Sequence, residues 1–170
     1  MLFRSVFEAT YDLSALEPLV ALPDSVVNNS QPVGQAKGTR IDQAYIGSCA
    51  NGTQDDIELA ARVVKGHRVA SGVRFIVTPA SQTVYRDTVA SGAIQTLLEA
   101  GAMIAPPTCG ACGGGHMGVL GPDEVCITSS TRNFKGRMGD PSSQVWMASP
   151  ATVAASALTG FITDPREFLQ

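Results

Sequence analysis

The residues of this sequence best suited to chemistry are its four cysteines, Cys49, Cys109, Cys112 and Cys126. Cys109 and Cys112 form a C-x-x-C, CGAC, in which Gly110 allows a tight turn and two thiolates can converge on one centre. Alone, that spacing fits a zinc knuckle, a redox dithiol or a cluster site. A thioredoxin-like dithiol sits at a helix N-terminus, whereas here GGG follows the second cysteine, which weakens the redox reading. An even cysteine count also allows two disulfides. A cytosolic chain of 170 residues with a good core does not need them, so metal or redox chemistry is the better expectation.

Of the other two cysteines, Cys49 falls at the end of an expected strand. Cys126 lies inside one, EVCITSS, where a free cysteine behaves as a small buried hydrophobe. Three thiolates are one short of a structural Cys₄ zinc site, and His116 could complete a Cys₃His set. A cubane held by three cysteines differs in consequence. One iron is left without a protein thiolate and can bind substrate as a Lewis acid.

The elements that must position these residues can be read from periodicity. Strands are expected at 41–48, 73–80, 102–107, 124–130 and 144–149. Helices are expected at 53–66, 81–92, 93–102 and 150–160. Asp55 and Asp56 open the first, Ser81 caps the second and Pro150 starts the last. The segment 108–118, TCGACGGGHMG, is too rich in glycine for a regular element, and 131–141 reads as a polar, basic loop. This alternation implies an α/β domain: a mostly parallel sheet in three layers, with helices on its faces. Functional loops of such sheets lie at the carboxyl ends of the strands. Cys49, Cys109 and Arg132 each follow an expected strand directly, so all three belong on one edge of the sheet. Residues 1–40, with ALPDSVVNNSQPVGQAKGTR, read as an arm or linker outside a core formed by 41–170.

Bulk properties narrow the function classes. Hydrophobic residues make up 44% and charged residues 16%, enough to bury a core. A net charge of −3 without a Lys/Arg block leaves no footprint for nucleic acid or an acidic membrane. No apolar run reaches the roughly 18 residues of a membrane span, and MLFRSVFEATYD lacks a signal peptide's apolar stretch, so a cytoplasmic location is expected. There are only two histidines, His67 and His116. That shortage raises the expectation that part of an acid/base site lies on another chain.

Four segments, YIGSCANG (45–52), PPTCGAC (106–112), TRNFKGRMG (131–139) and ASPATVAASALTG (148–160), resemble the aconitase family in order and separation. The resemblance runs from about Tyr11 to the C-terminus. HMGVLGPDEVCI and NFKGRMG are most similar to the branch holding the large subunits of 3-isopropylmalate dehydratase and homoaconitase. It implies an iron–sulfur domain with a 4Fe–4S cluster on Cys49, Cys109 and Cys112. It also implies Arg132 and Arg137 as the arginines that hold substrate carboxylates. Arginine suits that role, because its planar fork pairs bidentately with a carboxylate. The alternative for this pair is a solvated basic loop. Ala50 stands where the family usually has threonine, and Thr131 where it has asparagine.

The activity implied is a hydro-lyase, dehydrating and rehydrating a hydroxy di- or tricarboxylic acid such as 3-isopropylmalate, a step of leucine biosynthesis. Family members take their acid/base histidine and acidic residues from further N-terminal domains. A swivelling domain, often a separate small subunit, adds a serine base. No acid/base residue of this chain matches those roles. Two other classes therefore stand beside the enzyme. One is an incomplete split or truncated subunit that delivers cluster and arginines to partners; the other is a structural Cys₃His zinc domain.

Overall fold

The computed structural model describes residues 7–25 and 27–169. A seven-stranded sheet organises the chain, in the order β2-β1-β7-β6-β3-β4-β5. The strands are β1 (Leu19–Ala21), β2 (Ser30–Pro32), β3 (Gln43–Gly47), β4 (Arg74–Thr78), β5 (Met103–Ile104), β6 (Val125–Thr128) and β7 (Gln144–Ala148). Strands β3 to β7 are mutually parallel, and β1 joins β7 and β2 antiparallel. The mostly parallel α/β sheet is the one expected.

Residues 1–6 and 26 of the expected arm lie outside the described residues, and the rest of 7–40 differs in part from that reading. Leu19–Ala21 and Ser30–Pro32 extend the sheet, and Val20, Val33 and Ala36 are buried. Strands of three residues are too short to show a period, which is why this hairpin looks irregular in sequence.

Four helices follow the expected pattern: α1 (Gln54–Val64), α2 (Gln82–Ala90), α3 (Ala93–Ala100) and α4 (Pro150–Thr159). Thr53 caps α1 in a reciprocal box with Asp56, satisfying two orphan N–H groups. Ser149 caps α4 with Pro150 in its first turn. Eight of the ten α4 residues are buried, and their small side chains let this helix lie against β3 and α1.

Strand alternation divides the core in two. Ala44, Ile46, Phe75, Val77, Ile127 and Trp146 face the helices. Tyr45, Ile76, Cys126 and Val145 face the other way, against Ala105, Ala111, Leu120 and Met138. The sequence reading expected helices on the faces of the sheet, but among the described residues the third layer is not helical. It consists of the loops 105–124 and 129–143 with one 3₁₀ turn, Gly110–Gly113.

Handedness accounts for this. The chain passes from β3 to β4 to β5 with helices on one face, then returns to β6 beyond β3. A right-handed crossover in the reverse direction must run across the opposite face. The CGAC loop and the arginine-bearing loop are carried on those reverse crossovers, while Cys49 lies on the forward connection from β3 to α1.

Candidate functional site

Between β3 and β6 the strand order reverses direction, and in α/β sheets that crevice, at the carboxyl ends of the strands, is the usual ligand site. The loop after β3 carries Cys49, and the loop after β6 carries Arg132. The two are stitched together. Ser129 Oγ accepts from the Gly47 N–H at 3.0 Å and donates to the Asn51 carbonyl at 3.3 Å. Asn51 Nδ2 donates to the Ser129 carbonyl at 2.6 Å. Beside them opens a cleft of about 430 Å³ lined in part by Asn51, Ser129, Ser130, Thr131 and Ser149.

The CGAC loop arrives at the same edge from β5. Its carbonyl at Cys109 accepts from the Tyr45 hydroxyl at 3.2 Å. Gly110 has φ +53°, and a Cβ there would stand 2.1 Å from that hydroxyl and 3.2 Å from Thr78 Oγ1. Thr78 also reaches the Cys49 loop: a Cβ on Gly47 would meet its carbonyl oxygen at 1.9 Å, and one on Gly52 at 2.8 Å. Thr78 thus lies against both cysteine loops. A Cβ on Gly114 would stand 2.6 Å from the Arg137 carbonyl, so the CGAC loop also abuts the arginine loop. These glycines are required by close backbone approach.

Cys49 and Cys109 are exposed, Cys112 is half-buried, and none is in a disulfide. Cys126 is fully buried in β6, as its place inside a strand suggested, and burial pushes its thiol up to about 12. Among the described residues no three His, Cys, Asp or Glu side chains form a ready metal cage. The Cys₃His set with His116 is not gathered either. What the fold brings together is the set of backbone segments, with thiol donors on exposed loops of one edge. That donor chemistry fits an iron–sulfur cluster, in which each thiolate binds a different iron and the ligands need not crowd around one ion.

Arg132 is exposed, and among the described residues its guanidinium donates only to Thr131, at 2.9 Å to the carbonyl. Arg137 is half-buried, its Nε lacks a partner among the described residues, and its guanidinium carbon lies 6.0 Å from the centre of the Phe134 ring. Among the described residues neither arginine is paired with a carboxylate.

His67 lies elsewhere. It follows α1, which runs back to the amino edge of the sheet, and its ring meets Phe168 edge-on at 5.3 Å. His116 is exposed in the glycine-rich loop.

Residues that the sequence reading passed over complete the site. The Tyr45 phenol is pushed up to about 12, first by burial and then by the neighbouring Cys112 and Cys109 sulfurs. The Thr78 hydroxyl lies near enough to lower it somewhat, yet makes no hydrogen bond of good geometry, so it counts as unpaired. Gln43, also fully buried, donates to the Gly118 carbonyl at 2.8 Å and accepts from Arg74 Nε at 3.0 Å. Arg74 in turn holds Glu124 bidentately, 2.7 Å for each bond. This chain of bonds anchors the far end of the CGAC loop. A sequence signal existed for Gln43, a polar residue opening the otherwise apolar β3, but none for Thr78, which ends β4 where a polar residue is ordinary.

The sequence of this chain matches the model of the aconitase family (aconitate hydratase) over residues 16–160, and the chain belongs to that family. Among curated relatives, it is 60% identical over 156 residues to a 3-isopropylmalate dehydratase large subunit of Mycolicibacterium smegmatis. That match covers 92% of this chain and 37% of the relative. A 3-isopropylmalate dehydratase large subunit 1 of Methanopyrus kandleri is 54% identical, over 95% of this chain and 38% of the relative. A homoaconitase large subunit of Thermus thermophilus is 50% identical, over 96% and 39%. The chain thus spans less than two fifths of the length of these relatives. No helix among the described residues is long and apolar enough to cross a membrane.

Proposed function

We propose that this chain is the cluster-bearing portion of a hydro-lyase acting on a hydroxy di- or tricarboxylic acid such as 3-isopropylmalate. The observation that supports this most is the contact of the CGAC loop with a loop carrying two arginines that lack carboxylate partners among the described residues. Cys49, Cys109 and Cys112 would hold a 4Fe–4S cluster, which supplies a Lewis-acid iron for the departing hydroxyl.

Arg132 and Arg137 orient the substrate by pairing with its carboxylates. Arg137, with its unpartnered Nε and the Phe134 ring beside it, is the more fixed of the two. Arg132 is exposed and closes onto the ligand. The cleft lined by Asn51, Ser129 and Thr131 gives the substrate hydroxyl-rich walls beside the Cys49 loop.

No described side chain at this edge is suited to taking the proton. His67 lies at the other edge of the sheet, and His116 is held by no hydrogen bond among the described residues. The acid and the base therefore come from outside these residues: from a small swivelling subunit and from the part of the relatives that has no counterpart here. By itself the chain is a cluster- and substrate-binding module without turnover.

The test has two arms. Anaerobic reconstitution of the chain should yield about four irons and four sulfides. Turnover of 3-isopropylmalate, homoaconitate and citrate should be absent with the chain alone and appear when the small subunit and the remaining large-subunit domains are supplied. General acid–base groups contribute roughly 10²–10⁴-fold each, so their loss should be unmistakable. Brisk turnover by the chain alone, or zinc without sulfide, would overturn the reading.

A further inference from the structure

Beneath the CGAC loop lies a floor made of two buried hydroxyls that the cluster reading does not use. Tyr45 and Thr78 are both fully buried, on the adjacent parallel strands β3 and β4. Tyr45 spends its proton on the Cys109 carbonyl. Gly110 passes so close above that no Cβ fits between the loop and the phenol. Thr78 lies against both cysteine loops, its hydroxyl towards Gly110 and its carbonyl towards Gly47 and Gly52, and its hydroxyl has no hydrogen-bond partner among the described residues. An unpaired buried hydroxyl is rare and calls for an explanation, because such groups are costly to desolvate.

We infer that Tyr45 and Thr78 are positioning residues that set where Cys109 stands relative to Cys49, with the spare Thr78 proton kept for a group bound between the two loops. The inference rests on the proposed cluster site for that last element. The positioning of the loop by Tyr45 does not depend on it. Partners of this kind, behind a metal ligand, fix its orientation and typically change metal affinity by 10–100-fold when removed.

The experiment uses Tyr45→Phe and Thr78→Val, which keep the ring and the branched shape while deleting one hydroxyl each. In the chain without cluster, hydrogen exchange across 109–114 should rise about five-fold in Tyr45→Phe, the equivalent of one ordinary hydrogen bond. Exchange in α1 and α4 should be unchanged, which shows that the fold persists. After anaerobic reconstitution, both variants should lose the cluster's visible absorbance on exposure to a chelator about 10-fold faster than the parent. Unaltered exchange at 109–114 together with unaltered cluster loss would overturn the inference. Failure of the parent chain to take up iron and sulfide would instead sink the cluster reading, and the exchange arm would still decide the role of Tyr45. If Tyr45→Phe does not fold, Thr78→Val decides by its cluster loss: loss at the parent's rate would overturn the inference.

Discussion

Asn51 donates its side-chain amide to the Ser129 carbonyl at 2.6 Å, across 78 residues of sequence, and so joins the loop after β3 to the loop after β6. Its backbone is left-handed, φ +54°, a conformation that asparagine tolerates better than most residues. One residue thus turns the Cys49 loop and ties it to the strand that leads to Arg132.

Replacing Asn51 by Ala removes the bond and places a less suitable residue at a left-handed position. A loss of about 1–2 kcal/mol is expected. Asn51→Gly accepts the backbone but still lacks the bond, so it should lose less. Urea titration of the three proteins separates bond from backbone. Equal losses in Ala and Gly variants would show that the hydrogen bond alone matters.

Gly110→Ala should be more damaging. The added Cβ falls 2.1 Å from the Tyr45 hydroxyl at a residue with φ +53°. Either the loop lifts from the sheet or the phenol is displaced. A cost of about 2–3 kcal/mol in stability is expected, with loss of iron and sulfide uptake. Chemical denaturation and metal analysis after reconstitution check the two halves.

Cys126 should behave unlike the other cysteines. Its thiol is pushed up to about 12 from an ordinary 9.0, chiefly by burial. A folded-state value above the unfolded one contributes stability that is complete below pH 9 and is lost as pH rises from there through about 12. Melting curves between pH 9 and 12 should therefore fall less steeply in Cys126→Ala than in the parent. The raised Tyr45 phenol adds a similar alkaline loss that this variant retains. Cys126→Ser should leave iron and sulfide uptake intact, whereas Cys109→Ser should abolish it.

Acid acts on the Gln43–Arg74–Glu124 chain. Hydrogen bonding by Arg74 holds the Glu124 carboxyl below its ordinary value of 4.5. A depressed carboxyl contributes stability that is present above pH 4.5 and lost as pH falls through its lowered value. Glu124→Gln should lower the melting temperature near neutrality and flatten its decline in acid. The pair is partly exposed, so the effect should shrink in high salt. An acid profile parallel to the parent's would show that other carboxylates carry the decline. Asp164 is one of these, held down by Arg166.

The sequence by itself determined the elements from 41 to 160, because their periods are long enough to read and their ends are marked by residues such as Thr53, Ser81, Pro150 and Gly160. It also placed Cys49, Cys109 and Arg132 behind strand ends, and it separated Cys126 from them by its position within a strand. It did not show that Leu19–Ala21 and Ser30–Pro32 extend the sheet, since three residues carry no pattern and the pairing of Leu19–Ala21 with β7 spans more than a hundred positions. Nor did it show which face the loops cross. That follows from strand order, which is a property of pairing between distant segments. The Tyr45 and Thr78 floor was equally hidden: in sequence they are strand residues among apolar neighbours. Only the packed sheet brings their hydroxyls under Gly110, because contact between side chains so far apart in the chain is decided by tertiary register rather than by any local preference.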